Sequence, residues 1–269
     1  MGAGVYITEE EWNHIPEESR QAIAEAISKD RPHNTEYKKI NLPDTFYVKY
    51  GKRILDIILG GLACIFSFII NVILALITFF DVGRPIIFRQ ERVGKDGKLF
   101  SLMKFRNMTN ETNEEGILLP PEQRVTKWGR FVRKTSLDEL LNFWSIFKGD
   151  MSIIGPRPLP QKYVVRFDDF HQQRHLVRPG LECPFFDKSL VKKGWQGRFD
   201  NDIWYVENIS FKTDVKMVFL LIKKVFSKEE RASSASGKTG EFMGYKEDGT
   251  IMCEWEIPRK YLSVLEKPI

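Results

Sequence analysis

Cysteine is scarce in this chain of 269 residues, with only Cys64, Cys183 and Cys253. None belongs to a CxxC pair, which argues against a disulfide framework or a thiolate zinc site and fits a reducing compartment. The chain also lacks a basic stretch followed by an apolar one at its start. It opens instead with polar VYITEEEWNHIPEESRQ, so no cleavable secretory signal is expected. A Gly-rich phosphate loop is missing too, which excludes an ordinary P-loop NTPase. The net charge of +5 is modest and no aromatic–basic recognition motif is present, so nucleic acid is not an expected partner. The small cationic excess still fits an anionic partner such as a lipid headgroup or a nucleotide phosphate.

What the chain does have is one long apolar run. From Ile57 to Phe80 no residue is charged. As a helix it would extend about 36 Å, enough to cross a hydrocarbon core, and it is apolar on every face, unlike an ordinary core helix. Lys52 and Arg53 precede it, and Arg84, Arg89 and Arg92 follow. Positive flanks mark the cytoplasmic side, and here both flanks are positive. A re-entrant helix that bends and returns to the same face satisfies both, and is preferred to a full span. Ser67 or Asn71 could support the bend and Gly60 and Gly61 could loosen it, while Asp56 could pair with Lys52 one turn away.

The remaining chain divides around this run. Residues 1–51 read as a polar, solubilising extension, with a helix opened by a Thr8–Glu11 capping box and a second over Pro16–Lys29. Residues 52–83 are the membrane segment. Residues 84–226 carry the chemistry, beginning with a strand–turn–strand unit around Lys95-Asp96-Gly97-Lys98. A loop over 109–122, a helical stretch over 124–147 and an apolar helix over 215–226 follow. Residues 227–269 form a linker (227–240) and a small tail.

The central segment is RKTSLDELLNFWSIFKGDMSIIGPRPLP, residues 133–160. Ser136 and Glu139 spell a capping box, which alone would be purely structural. The surroundings say more. Asp138 and Glu139 adjoin at a helix start that favours anions. Arg124, Lys127, Arg130, Arg133 and Lys134 cluster just before them. Arg157 lies between two prolines that restrict its backbone, and a fixed guanidinium suits phosphate. Paired carboxylates beside cations suit phosphoryl transfer, with one acid as nucleophile and the other helping to hold magnesium.

These stretches resemble the bacterial sugar transferase family, the monotopic polyprenyl-phosphate phosphoglycosyl transferases. The resemblance runs from about Lys52 to Phe226. It is carried by KRILDIILG (52–60), IIFRQERVGKDGKLFSLMKFRNM (86–108), SLDELLN (136–142), KGDMSIIGPRPLP (148–160), RPG (178–180) and YVENISFKTDVKMV (205–218). It implies an α/β, membrane-associated monotopic fold: a re-entrant N-terminal helix, a small sheet and surrounding amphipathic helices. It also implies a site at the cytoplasmic face of the bacterial inner membrane. Asp138 would attack the β-phosphate of a UDP-sugar, release UMP and pass the phosphosugar to a polyprenyl phosphate. Asp138 and Glu139 would hold Mg2+, and Lys104, Arg133, Arg157 and Arg178 would bind phosphates or substrate. The product would initiate a surface glycan: capsule, exopolysaccharide, O-antigen or glycoprotein glycan. Later glycosyltransferases are then possible partners.

Three departures from the family pattern are visible. The usual Ser-Pro break is replaced by Phe68-Ile69, and Leu141-Asn142 stands where Pro-Gln is usual. The Thr-Gly…Gln stretch after Arg-Pro-Gly is replaced by LECPFFDKSLVKKGW, residues 181–195. An unusual donor is the first explanation of that last change and lost activity the second, so the rival reading is a catalytically altered membrane scaffold of a glycan-assembly complex. His171 and His175 could share a helix face, but without a third ligand, and with Arg174 between them, a solvated face is expected. Asp168 and Asp169 read as surface acids, and Asp150 as fixing the loop before Gly155. Trp128, Trp144, Trp195 and Trp204 suit either a membrane interface or core packing.

Overall fold

The structure is a computed structural model that describes residues 6–30, 37–226 and 240–265. Except for Gly240, the linker expected over 227–240 lies outside the described residues. Helices α1 (Glu9–His14) and α2 (Glu17–Asp30) form where the sequence predicts them, and both halves of the Thr8–Glu11 capping box are made. They are not a solubilising extension. Ile7, Trp12, Ile23 and Ile27 are buried together with Met243, Met252 and Ile257 from the other end of the chain. The two terminal segments thus share one hydrophobic core. A side chain as large as Trp12, 1% exposed, stabilises such a core by several kcal/mol, as the ~3–5 kcal/mol cost of its truncation indicates.

Helix α3 (Lys52–Val82) is continuous and is preceded by one π-helical turn at Tyr47–Gly51. The bend sought at Ser67 or Asn71 does not interrupt it. Instead Asn71 Nδ2 donates to Ser67 Oγ at 3.3 Å along the helix. Its buried positions are Asp56, Gly60, Ser67, Leu74 and Thr78, a single stripe at helical spacing. The rest of the circumference is exposed and apolar, with Phe66 77% and Phe80 82% exposed. Gly60 serves close packing rather than flexibility, because a Cβ there would lie 3.0 Å from Ile146 Cγ2 and 3.2 Å from the Phe147 nitrogen. Nor does Asp56 pair with Lys52. Asp56 Oδ1 accepts from Ser152 Oγ and the Ile153 amide at 3.0 and 3.1 Å, while Lys52 Nζ donates to Asp214 at 2.6 Å. At the far end Leu74 packs with Phe105 and Val132, and Thr126 Oγ1 donates to Asp81 at 2.6 Å. Both ends of α3 are therefore fastened to the same body.

That body starts with the expected hairpin, β1 (Ile87–Val93) antiparallel to β2 (Leu99–Phe105), with Phe88 opposite Lys104. Asp96 and Gly97 make its turn with φ of 54° and 75°. The stretch 124–147 is not one helix. It divides into α4 (Lys127–Thr135), a 3-10 turn at Leu137–Glu139, and α5 (Asn142–Lys148). Strand β3 (Ser152–Ile154) pairs in parallel with β4 (Gly180–Glu182). Gly155 and Gly180 meet where these strands end, and a Cβ on Gly180 would fall 2.1 Å from the Gly155 nitrogen. That approach explains why each arginine motif contains a glycine. Helices α6 (Gly194–Asn208) and α7 (Phe211–Phe226) cover the β3–β4 pair through Tyr205, Val206 and Met217. The terminal hairpin of β5 (Phe242–Tyr245) and β6 (Ile251–Cys253) closes the chain.

Candidate active site

The site forms where three chain segments end. Helix α4 begins at Thr126, whose Oγ1 accepts from the Gly129 amide at 2.7 Å. It stops at Ser136, which adopts a left-handed conformation with φ 57°. Ser136 makes no side-chain cap, so the capping-box reading of Ser136 and Glu139 is corrected. A left-handed residue reverses the chain at a helix end, and here it is followed by a single 3-10 turn. That turn buries Asp138 to 5% exposure and leaves Glu139 partly open. The acid pair thus sits in this 3-10 turn and not in the first turn of an α-helix; α5 begins three residues later, at Asn142.

Asp138 Oδ2 accepts a hydrogen bond from Asn107 Nδ2 at 3.0 Å, and Asn107 Oδ1 accepts from Arg133 Nε at 3.0 Å. Arg133 thus reaches the acid through an amide that the sequence reading passed over, although Asn107 lies inside the MKFRNM stretch. The Asp138 carboxyl is held above its ordinary range by burial first and by Glu139 next, with Lys104 and Arg133 opposing. Burial pushes the Lys104 ammonium down, and Asp138 and Glu139 partly restore it. Lys104 Nζ lies 5.4 Å from the centre of the Phe88 ring. Two carboxylates and a buried lysine in one place make a site whose charge is balanced only as a group.

Arg157 Nη2 donates to Glu139 Oε1 at 2.9 Å. Its backbone is held from behind, because Arg174 Nη2 donates to the Arg157 carbonyl at 2.8 Å and also pairs with Asp202 at 2.7 Å. Arg174 and Asp202 are 2% and 1% exposed. The solvated face expected around Arg174 is therefore a buried ion pair, and removing one partner of such a pair costs about 3–5 kcal/mol. His171 is buried as well, 3.2 Å from Asp168 and 3.5 Å from Asp200, with the Tyr245 hydroxyl at 2.9 Å. Asp168 caps the turn of helix at Asp169–Gln172 rather than standing free on the surface. Arg92 joins the site's edge by donating to the Pro158 carbonyl at 3.0 Å.

The structure gathers Lys104, Arg133, Asp138, Glu139 and Arg157, but Arg178 is occupied elsewhere. Its Nε donates to the Gly149 carbonyl at 2.9 Å, where Arg53 also reaches the Ile146 and Phe147 carbonyls. These two arginines satisfy the C-terminal carbonyls of α5. Among the other cations before the acids, Arg124 and Arg130 bond to nearby backbone carbonyls. The altered stretch 181–195 packs inward over its first part, while 187–189 and 191–193 are exposed. Cys183 is buried, and Phe186 stacks on Trp204 with ring centroids 3.8 Å apart. Trp195 and Trp204 pack inward, whereas Trp144 stays 49% exposed.

Among the described residues no group of three or more His, Cys, Asp or Glu could cage a metal. Two adjacent carboxylates still suit magnesium, which takes few protein ligands and completes its shell with water and substrate. Beside α3 runs a groove of about 930 Å³ lined by Val72, Ala75, Leu76, Phe79, Ile86 and Ile87, with Arg84 and Arg89 among its walls.

Comparison with known proteins places this geometry. The chain is 40% identical over 179 residues to an uncharacterized sugar transferase, EpsL, of Bacillus subtilis (strain 168), covering 66% of this chain and 88% of that protein. It is 32% identical over 231 residues to the UDP-N-acetylgalactosamine-undecaprenyl-phosphate N-acetylgalactosaminephosphotransferase of Aeromonas hydrophila, covering 80% of this chain and 53% of that protein. It is 34% identical over 194 residues to the UDP-glucose:undecaprenyl-phosphate glucose-1-phosphate transferase of Escherichia coli (strain K12), covering 65% and 40%. The chain thus spans about half or less of the length of these two transferases. The model for bacterial sugar transferases matches residues 47–228. That match takes in α3, the acid pair and both arginine loops, and the chain belongs to the bacterial sugar transferase family.

Proposed function

We propose that this chain transfers a sugar phosphate from a UDP-sugar to a polyprenyl phosphate through a phosphosugar carried on Asp138. The observation that carries this reading is the burial of Asp138 beside Glu139, within the influence of Lys104 and Arg133. A surface acid would need no such surroundings. In the first step an Asp138 oxygen attacks the β-phosphorus, the bond to the bridging oxygen breaks, and UMP leaves with that oxygen. In the second step a phosphate oxygen of the polyprenyl phosphate attacks the same phosphorus. The Asp138 carboxylate leaves, and a diphosphate-linked lipid results. Lys104, Arg133 and Arg157 offset the phosphate charge, and Asn107 orients Asp138. Asp138 and Glu139 would hold magnesium, which would supply further charge neutralisation.

The same reading sets the chain on the cytoplasmic face of the inner membrane, as a monotopic protein that starts a surface glycan. It is supported by the positive flanks of α3 and by the attachment of both its ends to one body. The groove beside α3 suits the acceptor's hydrocarbon, and its two arginines suit an anionic head. The test is release of UMP from UDP-sugars by membranes supplied with polyprenyl phosphate. Asp138→Asn is expected to abolish it. Full retention in that variant would remove Asp138 as nucleophile. A folded wild-type protein that releases no UMP from any donor would favour the scaffold reading, for which the altered 181–195 stretch is the motive.

A further inference from the structure

Arg157 is held on two sides. Its Nη2 meets Glu139 at 2.9 Å, and its Nη1 faces Glu182 Oε2 at 3.9 Å. Glu182 cannot drift far. It ends β4 in register with Ile154 on β3, its carbonyl accepts from the Gly155 amide at 3.3 Å, and its Oε1 accepts from the Cys183 amide at 3.2 Å. The Arg157 backbone is fixed as well, through Arg174 and Asp202. Two rigid supports therefore place a carboxylate beside a guanidinium that also serves Glu139. Glu182 lies in the 181–195 stretch, where the sequence departs from the expected pattern.

A guanidinium binds phosphate best with two parallel N–H groups free. Here Glu182 Oε2 lies 3.9 Å from one side of that fork, an ion pair beyond hydrogen-bond reach, and adds negative charge next to the incoming anion. We propose that Glu182 is a positioning residue that loosens the hold of Arg157 on the uridine nucleotide's phosphates, so that UMP departs readily after the first step. This rests on the reading of the site as a UDP-sugar site. Without the Glu182 charge, both sides of the fork would turn to the nucleotide and Glu139. UMP would bind more tightly and leave more slowly.

The experiment is calorimetric titration of UMP into the full-length protein in detergent micelles, for wild type, Glu182→Gln, Arg157→Ala and the double variant. Glu182→Gln is expected to tighten UMP about two- to fivefold, the scale of one partly exposed ion pair. Turnover should fall together with the donor KM, a split that simple loss of structure would not give. The tightening should vanish when Arg157 is already alanine. Glu182→Asp, which keeps the charge but withdraws it by one methylene, should fall between wild type and Glu182→Gln, and it serves if the glutamine variant does not fold. Unchanged or weaker UMP binding in Glu182→Gln would overturn the proposal, as would the same tightening without Arg157. If wild type binds no UMP, the donor reading fails and this proposal falls with it. If wild type binds UMP and only the Glu182 effect is missing, the donor reading stands alone.

Discussion

Asn107 donates to Asp138 at 3.0 Å while its carbonyl oxygen accepts from Arg133. A neutral amide thus fixes the carboxylate's orientation and links it by hydrogen bonds to the Arg133 cation. Asn107→Ala is expected to lower UMP release about ten- to a hundredfold, as for the loss of one hydrogen bond to a charged group, with the fold intact by circular dichroism. Asn107→Asp should be worse, because it sets a like charge against Asp138. Equal activity in wild type and both variants would show that the amide does not orient the nucleophile.

The acid pair predicts a pH profile. On the proposed mechanism Asp138 must be ionised to attack, and burial and Glu139 both raise its carboxyl above 3.8. The rate should therefore fall with decreasing pH while an ordinary aspartate is still ionised. Glu139→Gln removes the like charge, so the acid limb of kcat/KM should move to lower pH even as the maximum rate drops. A limb that stays in place would dissociate Glu139 from the ionisation of Asp138.

The groove beside α3 predicts a division between the half-reactions. Replacing Arg84 and Arg89 together by alanine should raise the KM for polyprenyl phosphate and leave the initial release of UMP in a single turnover unchanged. Slower UMP release without acceptor would place these arginines with the donor instead.

His171 predicts a stability profile. Burial works against its charged form, but hydrogen bonds to Asp168 and Asp200 outweigh that cost and raise the imidazole above 6.5. The stabilisation is fully present below the unfolded value near 6.5 and is lost as pH rises through the higher folded value. The melting temperature should fall across that interval in wild type, and His171→Asn should flatten the fall. Parallel curves for the two proteins would contradict the charge assignment.

Patterns confined to a few neighbouring residues were legible in the sequence. The Thr8–Glu11 box, the β1–β2 hairpin and the apolar run each carry their own signal. Ser136 misleads because a serine three residues before a glutamate spells a helix start whether or not the serine takes a left-handed turn. Arg174 misleads because its partner Asp202 is 28 residues away. Asn107 is quiet because an uncharged amide among lysines and arginines draws no notice until its two partners are seen. The terminal core is invisible along the chain, since Trp12 and Glu254, bonded at 3.1 Å, are separated by 242 positions. The adjacency of Asp138 and Glu139 is plain in the sequence, but their setting in a 3-10 turn is not.

Helix α3 has one further consequence. It is held near its start by Ser152 and near its finish by Phe105 and Val132, so helix and acid pair belong to one packed body. In a bilayer, the depth at which the apolar circumference settles then sets the height of Asp138 above the lipid surface. On the proposed mechanism bilayer thickness would become an input to the reaction: a shift of one helical turn, about 5.4 Å, would raise or lower Asp138 against the plane in which lipid phosphates lie. The helix is then a gauge of depth as well as an anchor.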